Sequence, residues 1–310
     1  MEYRQIGRTD LNVSVLGFGG SSIGGEFGEV DIAEAERAVH AAIDHGINYF
    51  DTSPYYGRTL SESRLGEALE GRRDKVVLAT KCGRYDVDSF AFSAARIERS
   101  IDESLIRLRT DYVDLLQLHD IEFGDKRQII EETLPAARRI QQAGKARYIG
   151  ITALPLKIMR DIAEAAPVDA ILSYARYNLM VQDLDDILRP LADEQGVGLI
   201  NASPLHLRIL TETGPPDWHL ADPEVTAIGR KVAALCRSEG VDIAQLALRF
   251  CLDYPHVAST LVGMSKVRHL EANVKAVDFE IDPGLMRKIE TLVEPVKNRI
   301  WPSGKPENQD

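Results

Sequence analysis

The sequence predicts an α/β protein built as a (β/α)8 TIM barrel, with an N-terminal β-hairpin and a C-terminal extension. Two observations support this prediction: eight short apolar runs recur along the chain, and segments with helical period separate most of them. The chain has 310 residues, of which 44% are hydrophobic, and this is enough for a large barrel core. No linker divides it, so we expect a single domain over residues 1–310 with a barrel core at about 15–280.

The apolar runs have the character of buried strands. Each is short, rich in β-branched and aliphatic residues, and nearly continuous in apolar character, as in a parallel sheet that is covered on both faces. The runs are VLGFG (15–19), INYFD (47–51), VVLAT (76–80), YVDLLQL (112–118), RYIGI (147–151), VDAILS (168–173), VGLIN (197–201) and STLVG (259–263).

The intervening segments are predicted helices. Residues 33–46 place alanine, valine and isoleucine on one face among charged positions, and the segment stops at Gly46, a residue type that commonly terminates helices. Comparable segments span residues 95–109, 129–144 and 184–196. Repeated strand–helix units with short loops imply right-handed parallel crossovers, and eight of them favour a closed barrel.

An open, doubly wound sheet is the alternative fold. That fold usually carries a GxGxxG pattern that leads from an early strand directly into a helix. The early glycines here, GFGGSSIGGEFG (17–28), do not follow this pattern. Two segments lie outside the repeat: residues 3–14 are predicted to form a hairpin that could close the barrel bottom, and residues 205–222 form a Pro-rich loop before two further helices.

Composition narrows the possible partners. The formal charge is -11, from 48 acidic and 37 basic residues, so the surface should repel nucleic acid. No stretch approaches the roughly 18 apolar residues that a membrane helix needs, and the N-terminal residues are polar, so we expect a cytoplasmic protein without a membrane partner. Three scattered cysteines and the lack of CxxC or HExxH predict no metal site. A monomer and a dimer both remain open.

Polar residues stand where the predicted strands end. Asp51 ends the second strand, Lys81 follows the third and His119 follows the fourth. Thr152, Ser173 and Ser203 occupy comparable positions on the next three strands. The carboxyl ends of barrel strands meet at one rim, where active sites lie. Each residue alone has a structural explanation, such as a turn cap, but their coincidence favours a site.

The chemistry of this rim suggests proton transfer. Two phenols, Tyr55 and Tyr56, follow Asp51 closely. A phenol ordinarily has a pKa near 10, and a nearby lysine ammonium lowers it. Such a group can donate or accept the proton of a carbonyl–alcohol pair. Because no metal cluster or GxSxG motif is present, we expect a nicotinamide cofactor as the partner for hydride transfer. These considerations do not choose between the two tyrosines.

Several motifs together resemble the aldo-keto reductase family, and the resemblance runs from the first strand to about residue 290. They are GINYFDTSPYYG (46–57) with SE at 61–62, ATKCGRY (79–85), SIDESLIRLRTDYVDLLQLHD (100–120), GKARYIGIT (144–152) and LVGMSKVRHLEANV (261–274). The resemblance implies the barrel fold, a nicotinamide cofactor and four catalytic residues: Asp51, Tyr56, Lys81 and His119. The family's spacing of four residues between aspartate and tyrosine selects Tyr56 rather than Tyr55.

The resemblance also implies where the cofactor lies. The carboxamide end of the nicotinamide would be held after the fifth and sixth strands, the pyrophosphate along the loop after the seventh, and the adenosine end at the start of the helix after the last strand. A helix N-terminus with free N–H groups suits phosphate. The implied residues are, in that order, Thr152 and Ser173; Ser203, Pro204 and Leu205; and Gly263, Met264, Ser265, His269 and Asn273.

Two departures from the family pattern affect the cofactor. Ala202 stands where many members stack a tyrosine on the nicotinamide. His269 stands where members specific for NADPH commonly have arginine, and a neutral histidine is a weaker partner for a 2′-phosphate. We therefore expect NAD, although the neighbouring Arg268 keeps NADP possible.

The resemblance implies a sugar as substrate. It is strongest to family members that oxidise the C1 hemiacetal of a sugar to a lactone, and the motifs favour L-galactose, with Tyr56 as general base helped by Lys81. L-fucose, D-arabinose or pyridoxal dehydrogenation on the same site is an alternative, as is NADPH-dependent reduction of aldehydes or ketones. A nicotinamide-binding regulatory subunit without turnover is a further alternative, against which the acidic charge argues.

Overall fold

The computed structural model, which describes residues 1–310, confirms the predicted (β/α)8 barrel. Eight parallel strands follow one another in chain order around a closed sheet, and the last strand pairs with the first through Thr260 and Leu16. The barrel strands are β3 (Leu16–Gly19), β4 (Tyr49–Asp51), β5 (Val77–Cys82), β8 (Val113–Leu118), β9 (Ala146–Ala153), β10 (Ala170–Tyr174), β11 (Gly198–Ala202) and β12 (Ser259–Gly263).

Helices cover the outside of the barrel. The four segments predicted from periodicity are helical, with boundaries within a few residues of those expected, but the fourth is divided into two helices at Leu188. The third of them is continuous from residue 126 to 142 but contains one π-helical segment, Ile129–Thr133. The helices are α1 (Ser21–Gly24), α2 (Ile32–Asp44), α3 (Leu60–Ala68), α4 (Ala94–Leu108), α5 (Lys126–Gln128), α6 (Leu134–Gln142), α7 (Leu156–Ala165), α8 (Asp183–Ile187), α9 (Arg189–Gln195), α10 (Pro223–Ser238), α11 (Ile243–Leu252), α12 (Val267–Val277) and α13 (Pro283–Val293). None of them is long and apolar enough to cross a membrane.

The predicted N-terminal hairpin closes the bottom of the barrel. Strands β1 (Tyr3–Gln5) and β2 (Asn12–Ser14) pair in antiparallel register. Ile6, Leu11 and Val13 are buried in one hydrophobic cluster with side chains that point into the barrel from its strands. With this end filled, the opposite end, where the strands terminate, is left to form a site.

The structure also contains features that the sequence pattern did not predict. A second hairpin, β6 (Arg84–Asp86) and β7 (Ser89–Phe90), follows β5 at the carboxyl rim. Its strands are too short to show an alternating pattern. In addition, β5 and β9 extend further than expected, so Lys81 and Thr152 lie within strands rather than after them. Their side chains are therefore held by the barrel itself.

Gly7 in the hairpin turn allows the turn to contact the barrel closely. Its φ is +52°, and a Cβ atom there would lie 2.3 Å from the backbone nitrogen of Gly198. We expect Gly7→Ala to lower the free energy of unfolding by about 3 kcal/mol or more, because both backbone strain and a steric clash result. Urea denaturation measures the change.

Gly71→Ala is the matched control for that measurement. Gly71 has a φ of +71°, but a Cβ atom added there would meet no heavy atom within 4 Å. Gly71→Ala should lower the free energy of unfolding by only about 1–2 kcal/mol, which is the strain of an alanine in the left-handed region. Equal losses in the two variants would contradict the close contact between hairpin and barrel.

Candidate active site

A buried ion pair lies at the carboxyl rim of the barrel. Strands β4 and β5 are neighbours, so Asp51 and Lys81 project from adjacent strand ends. The ammonium of Lys81 pairs with one oxygen of Asp51 and donates a hydrogen bond of 2.9 Å to the carbonyl oxygen of Thr52. The amide of Gln117, on β8, donates to the other Asp51 oxygen at 2.7 Å. Asp51 and Lys81 are 3% and 1% exposed, so these contacts replace the lost hydration of both charges.

The hydroxyl of Tyr56 completes this group. Lys81 Nζ lies 3.3 Å from Tyr56 Oη, to which it donates a hydrogen bond. The loop that carries Tyr56 packs closely on α1, because Gly57 adopts a φ of +62° and sits against the carbonyl of Gly24. Ser61, at the start of α3, donates to the carbonyl of Gly20 at 2.7 Å. The phenol is therefore held by the loop at a defined distance from the amine.

The structure separates the two tyrosines. The ring of Tyr55 does not reach Lys81 but lies under the guanidinium of Arg84, 3.8 Å from the ring centroid. Arg84 also forms an ion pair with Asp120 at 2.5 Å. Tyr55 therefore packs in the wall of the site, whereas Tyr56 contacts the ion pair.

Burial and charge oppose each other at Tyr56. Burial raises the pKa of Tyr56 to about 12, although the nearby Lys81 ammonium acts to lower it. Our expectation of a lowered phenol pKa was therefore wrong in its net direction, because desolvation outweighs the lysine. For Lys81, burial alone would lower the pKa, but Asp51 and Tyr56 more than compensate and raise it. The amine is thus a stable ammonium.

His119, directly after β8, stands opposite the phenol. Its ring lies perpendicular to that of Tyr56, with centroids 5.7 Å apart, and its Nδ1 atom is 2.9 Å from the hydroxyl of Ser53. Burial, together with the positive charges of Lys81 and Arg84, holds the pKa of His119 well below its usual value. The imidazole is therefore neutral near pH 7 and can offer one N–H group to a ligand.

The residue after His119, Asp120, has a strained backbone conformation. Asp120 has a φ of 51°, in the left-handed region that non-glycine residues rarely adopt. Its N–H group donates to the hydroxyl of Thr152 at 3.3 Å, and its carboxylate lies 3.8 Å from His119 Nε2. Such strain often occurs at functional sites. Asp120 and Arg84 therefore add charged groups beside the histidine.

The residues predicted to hold the cofactor form the remaining arc of the same rim. They lie at the ends of β9 to β12 and on α12, and the structure gives no hydrogen bond that joins them to the ion pair. Thr152 and Ser173 are buried, Ser203 has a φ of 59°, and His269 and Asn273 are partly exposed on α12. Pro204, Leu205, Gly263, Met264 and Ser265 occupy the strand end and loops between them.

Unpaired buried hydroxyls make this arc suitable for a polar ligand. Ser173 Oγ and Ser22 Oγ are buried without a hydrogen-bond partner in the protein. A Cβ atom at Gly263 would lie 3.1 Å from Ser22, so the last strand and α1 approach closely there. Because buried polar groups are normally paired, these hydroxyls fit contacts to a dinucleotide. No three His, Cys, Asp or Glu side chains meet in an arrangement that could hold a metal ion.

Residues 15–294 match the Aldo/keto reductase family. The chain belongs to this family. It is therefore an oxidoreductase that acts on CH–OH groups with a nicotinamide cofactor, and the resemblance read from the motifs is confirmed.

Individual relatives support the same membership. The chain is 48% identical to L-galactose dehydrogenase of Arabidopsis thaliana, and the match covers 98% of each chain. It is 30% identical to D-threo-aldose 1-dehydrogenase of a Pseudomonas species over 90% of this chain and 94% of the relative. The solved holo form of an aldo-keto reductase from Bacillus halodurans superposes with a TM-score of 0.80 at 28% identity, covering 100% of both chains.

Sequence reasoning missed three groups of this site. Gln117 is a polar residue near the end of a mostly apolar strand, and this signal could have identified it. Ser53 lies inside the motif around Tyr56, but its partner His119 is 66 residues away along the chain, so the sequence alone does not show their contact. Arg84 lies within the motif at 79–85, but its place in the site depends on the second hairpin, which was not predicted.

Proposed function

We propose that this protein oxidises the C1 hemiacetal of a sugar, most directly L-galactose, to a lactone with NAD+. The observation that carries the proposal is the contact of Lys81 Nζ with both Asp51 and Tyr56 Oη at the rim of the barrel. The 48% identity to the Arabidopsis L-galactose dehydrogenase supports the choice of sugar.

Each residue of the site has a role that follows from its contacts. Tyr56, once deprotonated to the phenolate, takes the proton from the C1 hydroxyl as general base, and the Lys81 ammonium stabilises this phenolate before the transfer. Asp51 keeps Lys81 charged and in position. His119, as a neutral donor, binds the same substrate oxygen. When bound, NAD+ would accept the hydride that leaves C1.

The surroundings of His119 suit a substrate with several hydroxyl groups. The carboxylate of Asp120 lies 3.8 Å from His119 Nε2, and Arg84 lies behind it. Carboxylate and guanidinium groups offer acceptors and donors to the hydroxyl groups of a sugar ring. Arg84 and Asp120 already pair with each other, but each has further hydrogen-bonding atoms that a sugar would use and an apolar aldehyde would not, so the site favours a sugar over the reductase alternative.

We place the cofactor along the second arc of the rim. Thr152 and Ser173 would contact the carboxamide, and the unpaired hydroxyl of Ser173 supports this placement. Ser203, Pro204 and Leu205 would follow the pyrophosphate. Gly263, Met264 and Ser265, with His269 and Asn273 on α12, would hold the adenosine end, since phosphate sites in barrels form at the loops after the last two strands.

Charges at the start of α12 favour NAD over NADP. The carboxylate of Glu34, on α2, accepts the N–H group of Val267 at 3.0 Å, at the first turn of α12. The hydrogen bond from Arg37 and, to a smaller extent, the one from the Val267 N–H lower the pKa of Glu34. The carboxyl group of Glu34 is therefore ionised at neutral pH. Burial and neighbouring cations lower the pKa of His269, which is then neutral. A 2′-phosphate would therefore meet the carboxylate of Glu34 and an uncharged His269, with Arg268 and Lys266 as the cations nearby.

Tyr56→Phe should reduce sugar oxidation by at least about 100-fold, because the proton acceptor is removed. Binding of NAD+, measured by the quenching of protein fluorescence, should be nearly unchanged.

In the unmodified protein the rate of sugar oxidation should rise with pH between about 7 and 10. A phenol of pKa about 12 is deprotonated in a larger fraction of molecules as the pH increases.

Tyr55→Phe is the control for this prediction. It removes a neighbouring hydroxyl that has no contact with Lys81 and should change turnover only a few-fold. Assays over L-galactose, L-fucose, D-arabinose and pyridoxal identify the substrate. Turnover retained in Tyr56→Phe would refute the assigned base, and a preference for another substrate would refute L-galactose.

Glu34→Gln should improve binding of NADPH relative to NADH by about fivefold, because the repulsion between the carboxylate and a 2′-phosphate is removed. Glutamine can still accept the Val267 N–H, so α12 should keep its first turn. Fluorescence titration with both dinucleotides measures the ratio. Glu36→Gln, an exposed position on the same helix, is the control and should leave it unchanged. Tighter NADPH binding by the unmodified protein would contradict the assignment of NAD.

A further inference from the structure

A neutral histidine has two tautomers, which differ in the ring nitrogen that carries the hydrogen. His119 is 5% exposed, so its tautomer is set by neighbouring protein groups rather than by bulk water. Its Nδ1 atom faces the hydroxyl of Ser53 at 2.9 Å, and its Nε2 atom lies 3.8 Å from the carboxylate of Asp120. The direction of the Ser53 hydroxyl hydrogen therefore determines the chemistry that His119 presents to a substrate.

The surroundings of Ser53 orient that hydrogen. Ser53 is fully buried, and its oxygen already accepts the backbone N–H of Tyr55 at 3.1 Å. The one remaining polar contact of the hydroxyl is His119 Nδ1. If Nδ1 carried the hydrogen, the serine oxygen would accept two hydrogen bonds and its own hydrogen would be buried without a partner, which is costly. The hydroxyl therefore donates to Nδ1.

This arrangement leaves the hydrogen of the imidazole on Nε2. The distance of 3.8 Å from Nε2 to the Asp120 carboxylate is too long for a hydrogen bond, so that donor is not consumed within the protein. Tyr56 Oη, the other proposed contact of the substrate oxygen, belongs to a ring perpendicular to that of His119. A single substrate oxygen between the two groups would accept a hydrogen bond from Nε2 and give its proton to the phenolate of Tyr56.

We propose that Ser53 is a positioning residue that holds His119 in its Nε2–H tautomer, so that the imidazole donates a hydrogen bond to the oxygen of the reacting substrate. This inference rests on the proposed function for the part that concerns the substrate. The tautomer itself follows from the contacts of Ser53 alone. Ser53 acts through His119 and does not itself contact the substrate.

The test joins nitrogen NMR with kinetics. Selective ¹⁵N labelling of histidine in the full chain reports which ring nitrogen of His119 is protonated, with His119→Asn used to assign its signals. The unmodified protein should show a protonated Nε2 and a bare Nδ1. Ser53→Ala should lose this preference and lower kcat for sugar oxidation by at least tenfold, while the affinity for NAD+ changes less than twofold.

Two further variants separate positioning from packing. Ser53→Thr keeps the hydroxyl and should retain the Nε2–H signal and most of the turnover. Ser14→Ala removes an equally buried hydroxyl that also accepts a backbone N–H, but at the opposite end of the barrel, and should change neither the tautomer nor kcat.

Each result decides the proposal. A protonated Nδ1 in the unmodified protein would overturn it, as would an unchanged tautomer and kcat in Ser53→Ala. The NMR measurement requires no turnover, so it separates the two hypotheses. If no sugar is oxidised but the tautomer changes as expected, the proposed function fails while the role of Ser53 in setting the tautomer is supported.

Discussion

The buried ion pair of Lys81 and Asp51 is the interaction on which the site depends. Moving two charges out of water costs several kcal/mol per ion, so such a pair persists only where further hydrogen bonds satisfy its remaining atoms. Here the carbonyl of Thr52 and the amide of Gln117 supply them. The barrel makes this possible because β4, β5 and β8 are neighbours and end at the same rim.

The low polarity of the same surroundings acts on each titratable group differently. It opposes ionisation of Tyr56 and keeps His119 neutral, while the carboxylate of Asp51 keeps Lys81 charged. At neutral pH the phenol and the imidazole are therefore uncharged, and the ammonium beside them is the one cation of the three. This separation of roles is what acid–base chemistry on an alcohol requires, because one group accepts the proton while the others stabilise the charge that develops.

The sequence was most informative where a pattern is local. Continuous apolar runs identified all eight barrel strands, and the polar residues that end them identified the groups that meet at the rim. The choice of Tyr56 over Tyr55 came only from the spacing implied by the family resemblance, and the structure places Tyr56 beside Lys81. The sequence was least informative where contacts join distant segments: Gln117, Ser53 and Arg84 acquire their positions only in the folded barrel. The net pKa of Tyr56 could not be predicted either, because it depends on how deeply the ring is buried.

The most direct measurement of the role of the ion pair is the pH profile of kcat/KM for sugar oxidation in the double variant Asp51→Asn/Lys81→Met. Removing both charges together avoids an unpaired ion in the interior. We expect the rate to fall and its rise with pH to move to more alkaline values than in the unmodified protein, since the phenolate of Tyr56 loses its neighbouring cation. Profiles that superimpose for the two proteins would contradict the central claim that the lysine ammonium assists proton transfer by this tyrosine.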